Sequence, residues 1–152
     1  MIRTETEYQE ALRRLEQGHL VAEKQRVALH AAGLPPEAVD RAMEPLLSFQ
    51  AQFAEEIEWY RGAREGRIPA IRDLTQLGRL LIALRIAHGV GQRELAERMG
   101  VSEAVVSRDE RNEYHGVTVT RAQKIIDALQ GVIAATVEEA PRQRELQPVG
   151  KP

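Results

Sequence analysis

The chain has 152 residues, 43% hydrophobic and 29% charged, with a net charge of −2. That suits one compact domain, or a small domain with a helical appendage, of ordinary globular composition. Cysteine is absent, which excludes disulfides, thiolate metal sites and a cysteine nucleophile. The opening MIRTETEYQE has no signal-peptide character, and no apolar run approaches the ~18 residues of a membrane span, so a cytoplasmic protein without membrane contact is expected. Indiscriminate nucleic-acid binding needs an excess of Lys and Arg that this chain lacks overall. The charge is uneven, however: residues 1–66 hold 8 basic and 12 acidic side chains, and residues 67–127 hold 10 and 8. A mildly basic part that contacts a polyanion selectively, beside an acidic part that meets something else, fits this division.

Thr4 to Ala32 reads as one long helix. Tyr8, Leu12, Leu15, Ala22 and Leu29 follow a 4-3 spacing, with His19 and Arg26 interrupting the stripe. Gly33, Leu34, Pro35 and Pro36 then end it, since consecutive prolines disfavour helix before them and glycine accepts the left-handed end conformation. Val39, Met43, Leu46, Phe53, Ile57 and Tyr60 repeat the spacing up to about Arg64, with Gln50 as its polar member. Two stripes of this length predict an antiparallel helical hairpin, each arm roughly 40 Å long at ~1.5 Å per residue. Pro45 predicts a kink or break near Glu44, because an interior proline removes a donor and clashes one turn back.

Five of the six aromatic residues, Tyr8, Phe49, Phe53, Trp59 and Tyr60, lie in this segment. A lone two-helix hairpin buries too little to be stable, so these rings need a second surface. Residues 1–66 are therefore expected to form a dimerisation or protein-partner module, presenting Leu46, Phe49, Phe53, Ile57, Trp59 and Tyr60. The plainer reading is a helical extension packed on its own domain.

GAREGRIPAI, residues 62–71, is broken by Gly66 and Pro69 and reads as a connector. Asp73 can cap a helix running to His88 with Leu77, Leu80, Leu81, Leu84 and Ile86 as its apolar set. Gly89 and Gly91 end it. Helices are then expected over Gln92 to Met99 and Glu103 to about Arg111, with NEYHG as a loop. A fourth helix, capped by Thr118 or Thr120, turns Ala122, Ile125, Ile126 and Leu129 inward, and Val132 to Val137 predicts a short fifth. Residues 138–152, with two charged clusters and three prolines, are expected to be disordered.

The stretch QRELAERMGVSEAVVSRDE, Gln92 to Glu110, reads as two short helices joined by a tight turn. Leu95, Ala96, Met99, Val101, Val105 and Val106 form its apolar face. Gly100 sits where the chain must reverse, and Ser102 can accept from the free amides of the second helix. A short solvent-facing helix held on a compact frame has the size and shape that enters the major groove. Gln92, Ala96, Gly100 and Val106 fall at the spacing of the Cro and phage-repressor type of helix-turn-helix, the xenobiotic-response-element family, which the chain resembles over about Leu77 to Gln130. The resemblance implies an all-α fold, here a long N-terminal hairpin followed by a five-helix repressor-type domain over residues 67–137.

The resemblance also implies which side chains meet double-stranded DNA. Glu103, Ala104, Ser107 and Arg108 face out from the second helix toward base edges. Among them Arg108 can pair bidentately with guanine, Glu103 can accept from a cytosine amino group and Ala104 can meet a thymine methyl. Gln92, Arg93, Ser102, Arg111, Asn112 and Tyr114, with His115, are expected along the backbone, although Tyr114 can equally pack on the core. Arg85 and Glu110 match a pair that in the family forms a structural salt bridge. Asp109 departs from the pattern, standing where a large apolar residue is usual. The helix end is either rotated there, or Asp109 pairs with an arginine such as Arg79.

No enzyme is expected. His19, His30, His88 and His115 are far apart and none has a second ligand at zinc spacing, so no metal and no cofactor is predicted. Gly-rich phosphate loops and nucleophile elbows are missing, and the carboxylates are interspersed with Arg and Lys on helix faces. The reading is a sequence-specific regulator acting as a homodimeric repressor on a two-fold operator, with half-sites about one helical turn, ~10 base pairs, apart. The alternative is an antitoxin-like protein whose N-terminal hairpin neutralises a partner while DNA binding regulates its own operon.

Overall fold

The computed structural model describes residues 1–68 and 70–136. Those residues form six α-helices and one 3₁₀ turn, with no strand. Helix α1 spans Glu5–Ala31 and α2 Pro36–Arg64, followed by the turn Leu74–Gln76, α3 Leu77–Ala87, α4 Gln92–Met99, α5 Glu103–Arg111 and α6 Val119–Ala128. The expected tail, residues 138–152, lies outside the described residues, as does Val137.

Helix α1 starts at a reciprocal cap: the Thr4 hydroxyl accepts from the Glu7 amide while the Glu7 carboxylate accepts from the Thr4 amide. It ends at Ala31, two residues before Gly33, whose φ of +78° carries the chain into the turn. Helix α2 runs without interruption through Pro45, contrary to the expected break. Pro45 is exposed, so the carbonyl one turn back that loses its donor can turn to water instead of being stranded in the core.

The two arms pack antiparallel. On α2 the inward row is the predicted one, Val39, Met43, Leu46, Gln50, Phe53, Ile57 and Tyr60. On α1 it slips by one residue at two levels: Ala11 and Gly18 face inward while Leu12 and His19 stay exposed. Small residues there let the backbones close up, and a Cβ on Gly18 would stand 3.2 Å from Gln50 Nε2. The Gln50 amide nitrogen is buried at this level without a hydrogen-bond partner.

That polar level separates two cores. Beyond it, toward the hairpin tip, Ala22, Val39 and Met43 are buried with Leu29, Leu34 and Leu46 packed on them. On the other side, Tyr8, Ala11, Ile57, Tyr60 and Ala63 share one continuous core with Leu81, Ile82, Ile86, Leu95, Val106, Ile125 and Leu129. The hairpin base therefore packs on the remaining helices, chiefly through α2 against α3. Helix α3 is buried on two sides as a result, adding Gly78, Ile82 and Ala83 to its expected apolar set. Each fully buried Leu or Ile contributes about 1.5–3 kcal/mol of transfer free energy.

Two expectations for the C-terminal part are corrected. Asp73 caps the 3₁₀ turn, accepting from the Thr75 amide at 2.8 Å, and α3 proper begins at Leu77. Residues 132–136 form no fifth helix; Val132 is 96% exposed, so that segment lacks an apolar face to bury. The α6 end is closed instead by Arg98, which donates to the Ala128 carbonyl at 2.9 Å.

Candidate nucleic-acid interface

Helices α4 and α5 are joined by Gly100, Val101 and Ser102. Gly100 takes φ +67°, ψ +33°, and the Val101 amide donates back to the Ala96 carbonyl at 3.0 Å, so the first helix closes within one turn. Ser102 occupies the extended capping position of α5 as expected, but its hydroxyl accepts no capping hydrogen bond and stays exposed. Leu95, Ala96 and Val106 fix the pair to the core, with Met99, Val101 and Val105 partly buried beside them.

The pair is anchored from behind by a buried ion pair. Arg85 on α3 is 3% exposed and Glu110 on α5 has no exposed surface. The guanidinium holds both carboxylate oxygens, at 2.5 and 2.7 Å, and also donates to the carbonyls of Val90 at 2.8 Å and Arg3 at 2.9 Å. Gln92, the first residue of α4, donates from its side-chain amide to Glu110 at 2.8 Å. The Arg85–Glu110 pair thus ties together α3, α4, α5 and the segment preceding α1. The Arg85 and Glu110 side chains meet as the resemblance implies; the engagement of Gln92 and of the Arg3 carbonyl was not anticipated.

The outer face of α5 presents Glu103, Ala104 and Arg108 to solvent, with Ser107 half-buried between them. Arg108 is exposed, and its carboxylate neighbour is Asp109, 3.8 Å away. Arg93 is exposed on α4 and paired with Glu97 at 3.2 Å. Arg111 and Asn112 are exposed at the α5 end, and His115 in the loop beyond.

Tyr114 does not join them. Glu113 and Tyr114 both take positive φ, +48° and +52°, a conformation ordinary side chains avoid, and the reversal drives the Tyr114 ring into the core at 5% exposure. Burial, reinforced by the Glu110 charge, pushes its phenol above the usual range. The ring packs on the core, as the second reading of Tyr114 expected.

Asp109 pairs with Arg121 of α6 at 2.6 Å, and not with Arg79, which lies over the Trp59 ring at 5.5 Å. The polar residue at this position is therefore accommodated by an ion pair to α6. Arg121 follows Thr118, whose hydroxyl caps α6 by accepting from the Arg121 amide. Arg108, Asn112, His115, Thr118 and Arg121 line a shallow concavity of about 290 Å³ between the end of α5 and the start of α6. The sequence reading did not bring Arg121 to this concavity; its signal was a cation in the first turn of the helix that follows α5.

The expected hairpin surface is distributed differently. Ile57 and Tyr60 are buried in the shared core, Phe53 and Trp59 are packed against it, and Leu46 is packed in the tip core. Of the six, Phe49 alone is fully exposed, at 66%.

Residues 81–132 match a family model described as helix-turn-helix. No curated protein and no solved structure matches the chain. Among the described residues no helix is long and apolar enough to cross a membrane.

Proposed function

We propose that this chain, whose residues 81–132 match a helix-turn-helix family model, is a DNA-binding regulator of the Cro and phage-repressor type, a sequence-specific dimeric repressor that binds a two-fold operator. The observation that carries this reading is the outward row Glu103, Ala104 and Arg108 on a helix whose opposite side is locked by the Arg85–Glu110 pair. A reading helix must hold its side chains at fixed angles to the base edges, and this anchor supplies that rigidity.

In the proposed complex, α5 lies in the major groove. Arg108 donates to the two acceptors of a guanine, Glu103 accepts from a cytosine amino group and Ala104 meets a thymine methyl. The Gln92 amide nitrogen has two protons; with one given to Glu110, the second can go to a phosphate oxygen. Ser102, Arg93, Arg111 and Asn112 flank it along the backbone, and they position the helix without reading sequence. Two copies with reading helices about one helical turn apart, ~10 base pairs, would occlude a promoter.

The test is binding of the chain to its own upstream DNA at two salt concentrations, beside Arg108→Ala. Tight, salt-sensitive binding to a two-fold site is expected. Arg108 is exposed, so its truncation should leave the fold intact and cost about 1–3 kcal/mol at one base pair of each half-site. Equal affinity for operator and random DNA would overturn the reading.

A further inference from the structure

The two flanks of the hairpin differ in chemistry. Arg26 and Asp40 form an ion pair at 3.6 Å, which places them on one flank, and helical spacing adds Glu23 and Glu44 to it. The opposite flank is fixed by Glu10, Arg14 and Phe53, which line one shallow depression. Followed toward the tip at helical spacing, that side continues through Gln17, Val21 and Gln25 on α1 and Phe49, Pro45 and Ala42 on α2. All six are exposed and none is charged. Val21 is 56% and Phe49 66% exposed, and the Phe49 ring stacks on Phe53 with centroids 6.3 Å apart.

We propose that this uncharged flank is where a second copy of the chain docks, hairpin against hairpin across a two-fold axis. The inference deepens the dimeric reading above and rests on it. A two-fold interface sets each patch against its own copy, so the acidic flank with Glu23, Asp40 and Glu44 would meet like charge, whereas the six residues named here carry none and Lys24 stands at their margin. The tip also needs a cover, because its core is only Ala22, Val39 and Met43 with three partly buried neighbours, too little for half a hairpin to hold itself together. The available area is adequate as well. About 18 residues per helix beyond Arg14 give a length of roughly 27 Å, and two helices side by side span about 20 Å. That footprint is of the order of the ~800 Å² of accessible surface each partner contributes to a standard interface. Depletion of charge around an exposed aromatic is the composition of an interface centre.

The test is the mass of the full-length chain by sedimentation equilibrium without DNA, for the wild type, Phe49→Asp, Val21→Lys and, on the opposite flank, Glu44→Arg. The expected result is a wild-type dimer, unchanged in Glu44→Arg and weakened about tenfold or more in each of the other two, with helical content and binding to a single half-site retained. A monomeric wild type would overturn the proposal and hand the face to a different protein. A dimer that both Phe49→Asp and Val21→Lys leave intact would overturn it too. Half-site binding is read on the same samples, so failure of the DNA reading shows there and failure of the docking surface shows in the mass.

Discussion

Glu110 is the residue on which α5 hangs, because its carboxylate accepts from Arg85 twice and from Gln92 once while fully out of water. Removing either ion-pair member leaves the other charge buried without its counterion, so Arg85→Ala or Glu110→Ala should cost about 3–5 kcal/mol in denaturant unfolding. The double change Arg85→Met with Glu110→Leu removes both charges together and should recover most of that loss, since buried apolar pairs often replace buried ion pairs at little net cost. If the double variant is no more stable than the singles, the charge argument fails and the Arg85 bonds to the Val90 and Arg3 carbonyls carry the stability instead. Sequence reading reached this pair through the resemblance. It could not reach Gln92 as a member, since that bond depends on where the first turn of α4 meets the last turn of α5.

Among the elements, α3 was the least legible. Its pattern predicted one buried stripe; the structure buries a second side against α2, and the only trace of this in the sequence is that small or apolar residues surround the helix. Gly78 marks the tightest approach, since a Cβ there would stand 1.7 Å from the Glu113 carbonyl oxygen and 2.7 Å from its carbon. Backbone cannot swing aside as a flexible side chain does. Gly78→Ala should therefore cost about 3 kcal/mol or more in thermal or denaturant unfolding and displace the Glu113–Tyr114 reversal that ends the reading helix. Near wild-type stability would refute the close packing. The hairpin was legible in period and length and misread in register on one arm, because Leu12 and His19 continue the apolar spacing on paper as well as Ala11 and Gly18 do. Small residues are drawn inward by the closeness of the opposing helix, which only the assembled pair defines. At Pro45 a kink or break was expected; the helix does not break, and the freed carbonyl lies on the exposed side, where water can take it.

For the whole molecule, the shared core makes an alkaline prediction. Tyr60 stacks on Tyr8 at 5.0 Å, and burial with the nearby Glu5 charge raises its phenol from 10.0 to about 12. The unfolded chain gives up that proton near pH 10 while the native state holds it to about 12. Stability from this group is thus complete below about pH 10 and lost as pH rises toward 12, because in that window the unfolded chain binds fewer protons than the native one. Tyr114 acts in the same direction. Melting temperature followed from pH 8 to 11.5 should fall more steeply in the wild type than in Tyr60→Phe, and parallel curves would refute the assignment. At this scale the sequence conveyed the all-helical class, the order of the helices and the face of α5. It did not convey that residues 1–66 and the helix-turn-helix share one interior, since Tyr8, Ile57 and Tyr60 fit an intermolecular surface equally well until the partner helix is known.

The polar level at Gly18 and Gln50 changes where the molecule should be thought of as jointed. The glycine-broken stretch after α2 looks like the hinge, yet the core runs past it undivided from the hairpin base into the reading domain. The break in the interior comes midway along the arms instead, where an unpartnered amide faces a missing side chain. Pulled or heated, the chain should yield first at the outer half of the arms, while the inner half stays with the DNA-reading head as one mechanical piece. In the proposed dimer, a docked tip could then swing to suit the separation of two half-sites without loosening either head.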